Sequence, residues 1–168
     1  MSPRNQVAVI VREYEGGLSD HAADRGGLTN WGVTLQTLQD ERPGSTRADL
    51  IALTLDDAID LMTERYALKP GFARILDPTL RFAVIDYAIN SGSRRATQDL
   101  QRALKIAADG IFGRDTEDAV NHADPRVTLR RLLANRVRFL GRVITNNPTQ
   151  AAFAAGWMHR VATQIEAA

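Results

Sequence analysis

Apolar residues recur at helical spacing along most of the chain, and the strict alternation that marks strands is scarce. Val7, Ile10, Val11 and Tyr14 stand at i, i+3, i+4 and i+7, which predicts a first helix over 5–14 that Gly16 and Gly17 stop. From Leu18 to Val33 the pattern lapses. Apolar positions are too sparse there for a helix face, and five glycines counted from Gly16 predict an ordered loop or short hairpin. Thr34 is placed to cap a short helix to about Glu41, closed by Pro43, Gly44 and Ser45. Thr54 with Asp57 has the capping-box form and opens a helix to about Tyr66, which Pro70 and Gly71 break.

Leu80 to Asn90 reads as a buried helix, because Phe82, Ala83, Val84, Ile85, Ala88 and Ile89 make it apolar nearly all round. Ser91, Gly92 and Ser93 form the best internal boundary, with Ser93 expected to cap a helix to about Ala107. Ala108, Asp109 and Gly110 turn the chain, and Asp115 opens another short helix. Asp124–Pro125 sets a capping residue before a first-turn proline, and Asn147–Pro148 repeats the device. Between them the stripe Leu129, Leu132, Leu133, Val137, Leu140, Ile144 predicts one long helix, and the last helix carries Phe153, Trp157 and Val161. The pattern is all-α (mainly α), with room for one hairpin.

Composition narrows the class. The 168 residues suit one domain or two small lobes, and a hydrophobic fraction of 44% can build a core. The chain has no cysteine, which excludes disulfides, thiolate metal sites and a cysteine nucleophile. Val7 to Val11 is too short an apolar run for a signal-peptide core, so synthesis in the cytoplasm without a signal peptide is expected. The net charge of +1 is unevenly placed: residues 1–90 hold nine Lys/Arg against thirteen Asp/Glu, and residues 91–168 hold twelve against seven. An acidic half joined to a basic half points to a division of labour.

The chemically informative stretch runs from Glu15 to Thr34, with two glycine pairs, Glu15 directly after an apolar helix, and Asp24, Thr29 and Trp31 following. Glycine lets a second chain lie close against the backbone, as an extended polymer substrate requires. Desolvation and the negative end of the helix both favour the protonated form of a carboxyl at Glu15. A carboxylic acid that keeps its proton near neutral pH is what glycosidic cleavage needs at the leaving oxygen. By itself, Glu15 also reads as a solvated helix-end carboxylate.

The pattern Glu15-Gly16-Gly17, Asp24-x-Gly26-Gly27-x-Thr29 and Trp31-Gly32-Val33-Thr34 resembles the signature of glycoside hydrolase family 108, which includes phage endolysins acting as N-acetylmuramidases. Asp86-Tyr87-Ala88-Ile89-Asn90-Ser91-Gly92 resembles the family's second landmark. Leu100-Gln101-Arg102-Ala103-Leu104, Asp109-Gly110-Ile111-Phe112-Gly113 and Gly156-Trp157-x-x-Arg160-Val161 resemble the predicted peptidoglycan-binding domain that follows it. Arg65-Tyr66-Ala67 departs from the Tyr-Trp often found in members.

The resemblance implies a lysozyme-like helical fold, with a catalytic lobe at 1–92 and a helical peptidoglycan-binding lobe at 93–168 on the same core. It also implies hydrolysis of the β-1,4 bond between N-acetylmuramic acid and N-acetylglucosamine with Glu15 as catalytic acid, and no cofactor or metal. Asp24, separated from Glu15 by eight residues, is the candidate second carboxylate or else caps the glycine turn, and Thr29 orients a water or bonds the backbone. Trp31 offers a flat face to a sugar ring or packs in the core. Asn90 either hydrogen-bonds an N-acetyl group or caps its helix, while Asp86 is expected to be a structural partner. Trp157 with Arg160 is a further candidate glycan contact, set against a core tryptophan.

His21, His122 and His159 lack metal-ligand spacing, which disfavours a zinc amidase. Arg126, Arg130, Arg131, Arg136, Arg138 and Arg142 form a solvated face or one drawn to anionic cell wall or outer membrane. Aromatic residues do not interleave with them, so no nucleic acid is expected, and a monomer is. An endolysin of this kind waits in the host cytoplasm until release onto the periplasmic wall. The rival readings are a lytic transglycosylase and a non-catalytic cell-wall-binding or secretion-assisting protein.

Overall fold

A computed structural model describes residues 1–14, 17–18 and 27–167. The chain divides into two compact units, Met1–Lys69 and Pro70–Ala168. The expected lobe boundary at 92/93 therefore falls within the second unit, between two helices that pack on each other.

In the first unit α1 (Pro3–Tyr14) packs on α4 (Leu55–Thr63). The predicted stripe is the buried face: Val7, Ile10 and Val11 are fully enclosed. At the rim, Arg4 Nε donates to Asp60 at 2.6 Å, an exposed pair that contributes little. The expected hairpin forms as β1 (Thr29–Asn30) and β2 (Val33–Thr34), antiparallel, with Thr29 opposite Thr34 and Asn30 opposite Val33. Thr34 then caps α2 (Leu35–Glu41) by accepting from the Thr37 amide.

The periodicity gives no sign of α3 (Arg47–Ile51), a single helical turn held by a reciprocal capping box between Thr46 and Asp49. The expected box at Thr54 and Asp57 opens α4. In both, the threonine hydroxyl and then its backbone N–H hold the aspartate below its ordinary pKa. A π-helical turn, Glu64–Leu68, follows α4, and Arg65 there reaches Asp40 and Glu41 at 2.8 and 3.1 Å.

The second unit begins with a 3-10 turn (Phe72–Arg74) and α5 (Pro78–Ser91), α6 (Ser93–Leu104), α7 (Arg114–His122) and α8 (Pro125–Asn146), and ends with a 3-10 turn (Pro148–Phe153) and α9 (Ala154–Glu166). Asp77 before Pro78 starts α5 with the same device that Asp124 and Pro125 use for α8. Ser93 does not cap α6. Gly92, at φ +88, turns the chain between α5 and α6, and Ser93 is already helical. That helix ends at Leu104, with Lys105 left-handed, rather than near Ala107. Asn147–Pro148 opens a 3-10 turn, not an α-helix, and the Asn147 side chain does not cap it. On α8, Leu129, Leu132, Leu133 and Leu140 are buried, whereas Val137 is 40% exposed.

Two polar clusters organise this unit. Gln101, nearly fully buried, donates to Asp109 Oδ1, the Ile111 carbonyl and Thr116 Oγ1 and accepts from the Gly110 amide. This clamps the turn after α6. Gly110 sits at φ +82, and a Cβ there would meet Arg94 Cγ at 2.8 Å, so the turn requires glycine.

The second cluster surrounds Asp86 on α5, which is completely buried. Arg136 Nη1 of α8 donates to its Oδ2 at 2.5 Å, Gln164 Nε2 of α9 to the same oxygen at 2.5 Å, and Arg160 Nε to Oδ1 at 2.6 Å. The Arg136 guanidinium also lies 4.9 Å from the Tyr87 ring centroid, which softens the burial of a second cation. Three helices are thereby tied to one carboxylate. Asp86→Ala strands two buried guanidinium groups and is expected to cost about 3–5 kcal/mol in urea unfolding. A loss below about 1 kcal/mol, the range of exposed pairs, would show that apolar packing alone sets these helices.

Candidate functional site

Glu15 and Asp24, the two candidate carboxylates, lie outside the described residues. The elements beside them in sequence are defined. α1 ends at Tyr14, immediately before Glu15, and the chain is described again from Gly27, which has φ +64.

From Thr29 to Thr34 the hairpin turns through two residues, Trp31 at φ +52 and Gly32 at φ +76. Positive φ at both central positions gives the twist that matches a tight hairpin. Glycine adopts it freely, but for an indole-bearing residue the cost is about 1–3 kcal/mol. Trp31, half-buried, therefore holds the turn tip in a backbone state that asparagine or glycine would adopt more readily. Such an outlier is a reason to look for a role beyond the turn itself.

Asn30 is the residue that explains why the turn persists, and sequence reasoning missed it. Only 5% exposed, its Nδ2 donates to the carbonyls of Leu50, Ile51 and Leu53 at 3.0, 3.2 and 3.1 Å. These carbonyls belong to the C-terminal end of α3 and the residues after it, where the regular helical ladder gives out. A polar residue beside a tryptophan and a glycine reads as turn chemistry, so nothing in the pattern foretold its long-range partners. Thr29 stands on β1, half-buried and paired with Thr34.

The remaining candidates belong to the second unit. Asn90 is half-buried in the last turn of α5; the helix runs on to Ser91 and Gly92 takes the cap position. Its Oδ1 accepts from Arg136 Nη2 at 3.3 Å and from Ser91 Oγ at 3.0 Å, so the side chain sits at the edge of the Asp86 cluster. Asp86 is a structural partner, as expected. Arg160 is 6% exposed, and its Nε donates to the internal carboxylate of Asp86. Trp157 stacks on Phe153, with centroids 6.0 Å apart and planes at 28°. The structure thus groups Thr29 with Trp31 on the hairpin and Asn90 with Arg160 around Asp86.

Residues 8–92 match the family described as Glycosyl hydrolase 108, and residues 95–162 match that described as Predicted Peptidoglycan domain. The solved structure of Brucella abortus SagA aligns with a TM-score of 0.83 at 31% identity, covering 96% of this chain and 90% of that one. A comparison with curated proteins gave no match. The class is a mainly helical, lysozyme-like glycoside hydrolase acting on peptidoglycan. Within that class, the chain belongs to glycoside hydrolase family 108.

Two substitutions separate the hairpin's backbone strain from its anchoring. Asn30→Ala is expected to lose about 1–3 kcal/mol in urea unfolding, since three carbonyls lose a side-chain donor. Trp31→Asn is expected to hold stability or gain about 1 kcal/mol, because asparagine tolerates positive φ. Equal destabilisation by both would mean that indole packing, not the backbone, governs the turn.

Proposed function

We propose that this chain is an N-acetylmuramidase of the endolysin kind, hydrolysing the β-1,4 bond between N-acetylmuramic acid and N-acetylglucosamine with Glu15 as general acid. The observation that carries the proposal is the place of Glu15 in the chain. It follows directly on α1, whose Val7, Ile10 and Val11 are fully buried, so the helix end before it is fixed by the core. The carbonyls at that end carry partial negative charge, which disfavours a second negative charge alongside. General-acid catalysis at the leaving oxygen calls for a carboxyl group that keeps its proton until that step.

As the bond breaks, positive charge grows at the sugar carbon. Asp24 or the substrate's own acetamido group stabilises it, and Thr29 orients the water that completes hydrolysis. Trp31, fixed at the hairpin tip by Asn30, supplies an apolar face for pyranose C–H groups. After synthesis in the cytoplasm, the enzyme reaches the wall when the membrane is breached.

Product analysis of digested sacculi tests the reading. The wild-type chain should release muropeptides with reducing N-acetylmuramic acid ends, and Glu15→Gln should slow clearance by roughly 10²–10⁴-fold. Anhydro-sugar ends would instead identify a lytic transglycosylase. Full-rate clearance by Glu15→Gln would remove Glu15 from the chemistry.

A further inference from the structure

Five of the six arginines of α8, a single basic face in the sequence, occupy three different settings, while Arg131 reaches the Ala103 carbonyl. Arg136 is internal and holds Asp86. Arg126 and Arg130 border a largely apolar groove of 560 Å³ with Leu133, Val137 and Ile165. Arg138 and Arg142 line a separate pocket of 410 Å³ with Arg95, Asp99, Arg102 and Asn135 of α6 and α8.

This last pocket is built rather than incidental. Asp99, with a side chain only 3% exposed, anchors its floor. Tyr87 Oη donates to Asp99 Oδ2 at 2.6 Å and Arg102 Nη1 to Oδ1 at 2.5 Å, while Arg95 Nε lies 3.4 Å from Oδ2. The Arg95 guanidinium is further held 4.1 Å over the Phe139 ring. Asn135 Nδ2 donates to the Asp99 carbonyl, and its Oδ1 accepts from Arg138. One carboxylate thus fixes two of the arginines. Arg138 has only the 3.3 Å bond to Asn135, and Arg142 makes no hydrogen bond or ion pair among the described residues. Four guanidinium groups face one carboxylate, which leaves three positive charges in excess.

We propose that this pocket binds the carboxylates of peptidoglycan's peptide stems, so that the second unit grips the polymer through its peptides. The inference rests on peptidoglycan as the substrate and is independent of Glu15 as the acid. Guanidinium groups match a carboxylate with two parallel N–H donors, and Asn135 adds the amide chemistry that suits a peptide. The lining holds no aromatic ring on which a pyranose would stack and no apolar side chain to enter a bilayer. All six lining residues fall within the 95–162 match to the peptidoglycan domain.

Calorimetric titration of the full chain tests this with the tetrapeptide L-Ala-γ-D-Glu-L-Lys-D-Ala, the same peptide with its carboxylates amidated, and phosphatidylglycerol vesicles. The free-acid peptide should bind, and amidation should weaken it by about ten-fold or more. The double variant Arg138→Gln/Arg142→Gln should show the same loss with an unchanged thermal midpoint. Both side chains are exposed, and Arg142→Gln alone, which removes no internal partner, keeps the test open should the double variant unfold. Failure of the free-acid peptide to bind, equal affinity for both peptide forms, or arginine-dependent binding to vesicles alone would overturn the proposal. A chain that binds the peptide in this way yet fails to clear sacculi would count against the role of Glu15 and leave the pocket standing.

Discussion

A carboxylate taken fully out of water has to be surrounded by donors, and in the second unit that requirement decides how the helices meet. Asp86 lies on the most apolar helix of the chain, where no water reaches it. The donors it needs come from α8 and α9, so both helices are drawn to one point on α5. Apolar stripes can slide or rotate against each other with small loss. Three directed bonds to one carboxyl group fix the rotation of each helix about its axis.

The consequences reach residues that never touch Asp86. With Arg136 turned inward, the residues two and six further along α8, Arg138 and Arg142, are turned out toward α6, where Asp99 has its own pair of arginines. The buried carboxylate thereby positions the exposed cations. Asn90 is caught by the same effect, because Arg136 reaches its side chain as well. The first unit uses polar groups differently. There the side-chain amide of Asn30 and the capping boxes at Thr46 and Thr54 satisfy backbone groups at helix ends and hold a two-residue turn in place. Each device is short in range except Asn30, which links the hairpin to the end of α3.

What was legible in the sequence follows this difference in range. Val7, Ile10 and Val11 declare a helix and its buried face within one turn of chain, and Thr34, Thr54 and Asp124 announce their helices because a cap acts over three residues. The glycine-rich stretch and its tryptophan pointed to the right family, since a motif is local by definition. Partner choice across tens of residues was not legible. Nothing near Arg160 in the sequence announces its ion pair with Asp86, 74 positions distant. Ser93 has the composition of a cap, but Gly92 already supplies the turn and leaves it nothing to do. Val137 matched the heptad-like stripe, although α8 rotates it toward solvent.

The same reasoning limits what a run of charge can mean. Counting the arginines of α8 gives one basic surface, and a basic surface by itself predicts only a salt-sensitive attraction to anything anionic. Burial divides that surface into an internal ion pair, an apolar-edged groove and a carboxylate-floored pocket, each with a different appetite. In the pocket, Asp99 removes part of the positive charge but immobilises Arg95 and Arg102, so less side-chain entropy remains to be lost when an anion arrives. A bare cluster of flexible arginines would attract more anions and distinguish among them less. Placing a buried acid among exposed bases trades raw attraction for shape, which is what a protein needs if it is to hold a polymer by its peptide branches.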